Sequence, residues 1–154
     1  MRKTKKKNFT KQILTLLLAF VMVFTGMGIG SWGVDTAWAS DWDGTEISKP
    51  HQSKDGTYQI SSAAELAWFA GLVNGKLTDE TAQDLNANAV LTADIDLNNK
   101  NWTPIGPASA WGSTKAYQGS FDGNGKTISH LYINNGAQFS GLFGGVNGEI
   151  KNIL

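Results

Sequence analysis

From Ala89 to Asn99 the chain alternates apolar and polar positions. Leu91, Ala93, Ile95 and Leu97 fall on one side, and Thr92, Asp94, Asp96 and Asn98 on the other. A period of two predicts a half-buried strand. Just upstream the period is different. Leu66, Phe69, Ala70, Val73 and Leu77 recur at helical spacing, with Trp68 widening the apolar face. Ser62-x-x-Glu65 is a capping box in front of this stripe, and Asn74-Gly75 is a left-handed stop behind it. Together they predict a helix over 63–73. Tyr58-Gln59-Ile60 precedes it as a short extended piece. The polar stretch 78–88 reads as a connection with one helical turn near 81–85.

The segment GSFDGNGKTISHLYIN (119–134) breaks the alternation. Asp122-Gly-Asn-Gly125 is turn chemistry, and the strand that follows puts Ile128 on one side but Leu131 and Ile133 on the other. The same break recurs at Ile150-Lys-Asn-Ile153. Ile128 to Ile150 and Leu131 to Ile153 are both steps of 22 residues. Ser129-His130 and Lys151-Asn152 therefore read as repeated corners that keep both flanking apolar residues pointing inward. A period in the twenties with a corner inside it is a solenoid signal. The Leu/Asn signature of leucine-rich repeats is missing, so a partial parallel β-helix is expected: all-β with one helix, which would cap the first coil. On this reading Ile150 begins a coil that Leu154 does not finish, and the chain is expected to be the N-terminal part of a longer protein.

The N-terminal segment has another layout. Residues 2–11 carry Arg2, Lys3, Lys5, Lys6, Lys7 and Lys11, an apolar run spans Ile13 to Ile29, and Ala37-Trp38-Ala39 fits a small-residue cleavage site. This is the order of a secretory signal peptide, with an uncleaved anchor as its rival. The Lys-rich start resembles that of Gram-positive exporters, and the absence of Cys excludes a lipid-modified N-terminus. The expected organisation is a signal peptide over 1–39, a flexible tail over 40–57, a helical cap and loop over 58–88, and the start of the solenoid over 89–154.

Removing the leader changes the charge. Seven Lys remain against 12 acidic residues, and no Arg remains. That balance gives no electrostatic footprint for nucleic acid, and no basic patch for anionic lipid. Contact with a membrane is expected only through the signal peptide before cleavage. Without Cys there is no disulfide framework.

Candidate chemistry is sparse. Asp94 and Asp96 lie roughly 6–7 Å apart at strand rise, a spacing like that of a glycosidase carboxylate pair, but they read as the polar half of an alternating strand. Asp41 and Asp43 read as tail residues. Asp122-Gly-Asn124-Gly starts like a Ca²⁺ loop and lacks the later ligands. The two His, His51 and His130, assemble no transition-metal set, so neither metal nor cofactor is expected. Ser129 and His130 are adjacent, a poor geometry for a nucleophile and its base. No HExxH is present, and Asn101-Trp-Thr matches a glycosylation acceptor that only a eukaryotic host would use. Trp111 and Tyr117, flanking the loop 109–117, are the candidate ligand-binding residues. Their rings could stack on the faces of a sugar, or Trp111 could fold back as a lid. Trp102, Phe121 and Phe143 read as packing residues.

The ordered series Asp94-Ile-Asp-Leu97, Trp102-x-Pro-Ile-Gly106, Phe121-Asp-Gly-Asn-Gly125-x-Thr-Ile128 and Gly141-Leu-Phe-Gly144 resembles the GLUG-motif repeats of bacterial surface proteins. The likeness covers about residues 58–154. It implies a right-handed parallel β-helix in secreted, wall-associated proteins, including adhesins and the N-terminal regions of some IgA-cleaving metallopeptidases. It carries no catalytic residue. The expected function is thus a non-catalytic structural or adhesive module at the cell surface, meeting a host or wall glycan or a surface protein. The alternative is the non-catalytic N-terminal part of a larger secreted enzyme, a metallopeptidase or a polysaccharide-degrading enzyme.

If the leader is cleaved after Ala39, N-terminal sequencing of exported protein will begin at Ser40. An intact Met1 on membrane-retained protein would contradict cleavage.

Overall fold

A computed structural model of the chain describes residues 41–106, 116–134, 136 and 140–154. The chain divides into Met1–Ala37 and Trp38–Leu154, and every described residue belongs to the second unit. The leader and its cleavage site lie outside the described residues. Among the described residues, no helix is long and apolar enough to cross a membrane.

The elements in chain order are β1 (His51–Gln52), β2 (Tyr58–Ile60), α1 (Ala63–Asn74), β3 (Ala89–Leu91), β4 (Ile95–Asp96), β5 (Ser120–Lys126), β6 (Ile128–Ser129) and β7 (Glu149–Ile153). One sheet has the order β1-β2-β3-β5-β7, and a second contains only β4 and β6. The first sheet is mixed. β1 and β2 are antiparallel, while β2–β3, β3–β5 and β5–β7 are parallel. The expected right-handed parallel β-helix is therefore not what the described residues form. An antiparallel pair opens the main sheet, the second sheet stops at two strands, and the remaining cross-contacts are single bridges at Asn101–Tyr132, Ile105–Phe143 and Tyr117–Val146. The strands do not close into a solenoid.

The helix forms where the spacing predicts. Ser62 caps it, its Oγ accepting from the Glu65 N–H at 3.3 Å. The return half of the capping box is shifted by one residue: the Glu65 carboxylate accepts from the N–H and hydroxyl of Ser61, not from Ser62. At the far end Gly75 takes φ 63° and ψ 41°. Its N–H donates to Leu72 O and that of Lys76 to Gly71 O, the two bonds of a Schellman motif. Leu77 then folds over Gly71, where a Cβ would meet its Cδ2 at 2.8 Å.

The role of α1 differs from the expected end cap. β2 and β3 are adjacent and parallel, so the chain must return to the start of the sheet between them, and α1 lies on that return. Its buried face carries Leu66, Phe69 and Val73 into the same core as Leu91 and Ile95. Phe69 sits at the centre of an aromatic cluster, 6.0 Å from Tyr58, 6.1 Å from Tyr117 and 6.0 Å from Phe121. Phe143 closes the cluster at 5.2 Å from Phe121 and 5.9 Å from Tyr117. Such edge-on and offset pairs add to the stabilisation from buried area.

The segment 41–57, expected to be a flexible tail, is built into the fold. Trp42 is buried and meets Trp102 edge-on at 6.0 Å, and Ser48 N–H donates to Ala64 O. β1 pairs with β2 through a turn at 53–57, where Gly56 has φ 88°. The predicted long strand at 89–97 splits into β3 and β4. The alternation of buried Leu91, Ile95 and Leu97 survives the split, which sends the two halves to different sheets. The polar stretch after the helix holds no helical turn over 81–85.

The bend at His130 is real, and so is its repeat. His130 has φ 53° and Asn152 φ 55°, both in the left-handed region where residues other than Gly rarely sit. The 22-residue alignment is not the spatial register, however. Ile128 pairs with Ile95, and Ile150 with Phe121.

Close parallel stacking demands small residues. A Cβ on Gly119 would strike the Ala87 carbonyl, and one on Gly148 would strike the Gly119 carbonyl. Gly119→Ala should therefore destabilise the fold by at least about 1–3 kcal/mol, the usual cost of overpacking. Phe69→Ala should cost about 3–5 kcal/mol. Urea unfolding checks both, and a loss under about 1 kcal/mol for Phe69→Ala would contradict its central position.

Candidate functional site

The polar face that the sequence singled out lies where β4 and β6 pair. Ile95 pairs with Ile128 and Asp96 with Ser129, so the carboxylates of the DIDL segment lie beside the corner at His130. Asp94 Oδ1 accepts from the Thr127 N–H at 2.8 Å. Asp96 Oδ1 accepts from the Asn98 N–H at 2.7 Å and contacts His130 Nδ1 at 2.8 Å. Both members of the Asp96–His130 pair are more than half exposed. The left-handed His130 is held further by its carbonyl, which accepts from the Asn99 N–H at 3.0 Å. A cleft of about 350 Å³ opens beside this face, with Asp41, Glu46, Ser61, Asp94 and Asp96 among its lining residues.

An Asp–His pair could in principle orient a general base. The neighbouring hydroxyl does not complete such a unit. Ser129 Oγ donates to Ile95 O at 3.4 Å and not to the imidazole, whose Nδ1 meets Asp96. The pair thus ties one corner to the strand stacked against it.

The other polar motif residues behave alike. Asn88 Oδ1 accepts from Ser120 N–H, Asn101 Oδ1 from Asn134 N–H, and Asn124 Nδ2 donates to Leu91 O at 3.1 Å. Asp122 Oδ1 accepts from Asn124 N–H and from Asn152 Nδ2. Asn74 uses both ends of its amide, donating to Pro104 O and accepting from Gly106 N–H. The Gly141-Leu-Phe-Gly144 segment lies along Trp102–Gly106. Ile105 N–H donates to Leu142 O, Gly144 N–H to Ile105 O, and Trp102 Nε1 to Leu142 O. Motifs far apart in sequence are thus hydrogen-bond partners in space.

Of the two candidate sugar-stacking residues, Tyr117 is fully buried. Its hydroxyl donates to Ala87 O at 2.8 Å, and burial pushes its pKa well up. Its ring offers no face to a ligand, because Phe69 and Phe143 already pack against it. Trp111 lies outside the described residues. Trp102, Phe121 and Phe143 are packing residues as the sequence indicates. No group of three or more His, Cys, Asp or Glu that could hold a metal ion occurs among the described residues.

The Asp96–His130 contact was not anticipated, because it depends on the register that stacks β6 on β4. The sequence signal for it was the broken alternation at His130 opposite a period-two acidic pair. Trp42 was missed because an aromatic in a polar stretch was read together with its neighbours. It lines a second cleft of about 230 Å³ with Ile47, Gly71, Leu77 and Trp102.

Comparison with protein-family models, with curated proteins and with solved structures finds no match.

Several carboxylates are held below their usual range by hydrogen-bond donors, some close in sequence and some from the neighbouring pass. For Asp96 the Asn98 N–H acts first and the His130 ring second; for Asp122 the Asn152 amide leads, then the Asn124 N–H. Asp43 is lowered first by the Thr45 N–H, and Asp55 first by the Ser53 hydroxyl. A carboxylate with a lowered folded-state pKa stabilises the fold above its unfolded value, here 3.8, and loses that effect as pH falls through the folded value. The thermal midpoint should stay level from about pH 7 to 5 and fall below about pH 4. Asp96→Asn combined with Asp122→Asn should lower the plateau and shallow the acid limb. An acid limb unchanged in that variant would contradict the assignment.

Proposed function

We propose that the chain is a secreted, cell-surface module of a Gram-positive bacterium with a structural or adhesive role, and that its described residues perform no catalysis. One observation carries the reading: the polar groups of the four motifs are committed to joining one pass of the chain to the next. Asp94 accepts the Thr127 N–H, Asp96 takes up His130, and Asp122 accepts from the Asn152 side-chain amide. A site for glycoside or peptide cleavage needs such groups aimed at a substrate instead. The signal-peptide layout and the GLUG resemblance supply the location, and the acidic balance after leader removal argues against nucleic acid. The partner that fits is a glycan or a surface protein of the host or the wall.

The test is to export the full chain, purify the secreted product and incubate it with pectins, uronates and host glycans, with and without Ca²⁺. Binding without turnover is expected, and Asp94→Asn should leave binding within about twofold, as for a surface change away from the contact. Turnover that disappears in Asp94→Asn would overturn the proposal.

A further inference from the structure

Trp42 and Pro50 are buried, and the residues between them are exposed apart from half-buried Gly44. The stretch is a strap with a buried anchor at each end. Pro50 is the stiff end, because its ring fixes φ and β1 begins at the next residue. The other anchor is the Trp42 ring. Most of the strap's hydrogen bonds stay inside it. Trp42 Nε1 donates to Glu46 O at 2.9 Å, and Asp43 Oδ1 accepts from the N–H and hydroxyl of Thr45 and from the Glu46 N–H. Among the described residues, its hydrogen bonds to the rest of the fold are Asn98 Nδ2 to Trp42 O and Ser48 N–H to Ala64 O, both 3.1 Å.

Lifting the strap exchanges those two hydrogen bonds for bonds to water, at a small net cost. The indole N–H keeps its partner, because Glu46 moves with it. What holds the strap down is therefore the packing of one ring, edge-on to Trp102 at 6.0 Å. The seat beneath that ring is shallow. α1 turns Leu66, Phe69 and Val73 to the core, while its small residues Ala63, Ala64, Ala67, Ala70 and Gly71 line the two clefts beside the strap. Trp42 lines both clefts, the one of about 350 Å³ with Ala63 and Ile95 and the one of about 230 Å³ with Gly71 and Trp102. Its ring is the partition between them.

We propose that Trp42 is a latch: residues 42–48 open as one unit about Pro50 while α1 and the main sheet stay folded, and each opening joins the two clefts into a single groove along α1 with Trp102 on its floor. The unit is defined by the bonds it keeps, since Trp42, Asp43, Thr45 and Glu46 are tied to one another more than to the fold. Local openings of this kind exchange amide protons without global unfolding. The Ser48 N–H reports the event, because its acceptor, Ala64 O, belongs to the helix that stays behind.

The experiment is amide hydrogen exchange, followed by nuclear magnetic resonance on the secreted product at several low urea concentrations. The reference amides are Tyr58 and Thr92, which donate to Asn88 O and Ile60 O between the first passes of the sheet. Ser48 should exchange at least about tenfold faster than both. Its rate should stay nearly level in low urea while theirs rise, because a local opening exposes little surface. Trp42→Ala removes the latch six residues away. It should keep the circular dichroism of the folded protein and speed Ser48 exchange at least about tenfold more. Ser48 exchange that climbs with urea in parallel with Tyr58 and Thr92 would overturn the proposal. So would a Ser48 rate indifferent to Trp42→Ala, and so would an unfolded Trp42→Ala, since the open state is a folded one.

Discussion

Parallel pairing is the constraint from which the rest of this structure follows. Two neighbouring strands that run the same way cannot be joined by a tight turn, so β2 and β3 require a crossover, and α1 is on it. A crossover helix must cover the sheet it returns over, and that places Phe69 among Tyr58, Tyr117 and Phe121. The next parallel strand, β5, needs a connection of the same length. Its second pass lies back along the first, bringing Phe143 to Ile105 and Ile128 to Ile95. Close approach of these passes leaves no room for a side chain at Gly119 or Gly148.

The same constraint explains the polar residues. Corners between short strands leave backbone N–H groups without a ladder partner, and such groups are costly unless bonded. Asn and Asp side chains meet that need across the stack: Asn88 with Ser120, Asp94 with Thr127, Asn101 with Asn134. Among the described residues no buried side-chain polar atom lacks a partner. The acidic face is thus a product of how the fold is assembled, which is why its carboxylates resemble a catalytic pair by spacing while bonding as structural ones. Exposed hydrogen bonds of this kind compete with water and are individually weak, so it is their number that matters.

Local features were legible in the sequence because local physics sets them. The helix, its Ser62 start and its Gly75 stop follow from spacing and capping alone. The corner at His130 was visible as a break in alternation, since a left-handed residue reverses which side the next side chain takes. The register was not legible. Similarity of shape aligned Ile128 with Ile150, whereas pairing is decided by connection lengths and by which aromatic fills which gap, and these put Ile150 beside Phe121. The solenoid expectation failed for the same reason: a repeated corner specifies a bend, not closure. Trp42 and Tyr117 failed differently. Trp42 was taken into the polar tail and Tyr117 into the flank of a loop, yet each is buried with its polar atom bonded, Trp42 Nε1 to Glu46 O and Tyr117 Oη to Ala87 O. An amphipathic ring of this type goes inside once its one polar atom finds a partner.

The central claim is the register of the parallel passes, and nuclear Overhauser contacts between backbone protons in the secreted protein test it most directly. The account expects cross-strand contacts linking Ala89 with Phe121, Phe121 with Ile150, and Ile95 with Ile128. Contacts that instead join Ile128 to Ile150, the pairing that the repeated motif alone would favour, would contradict it.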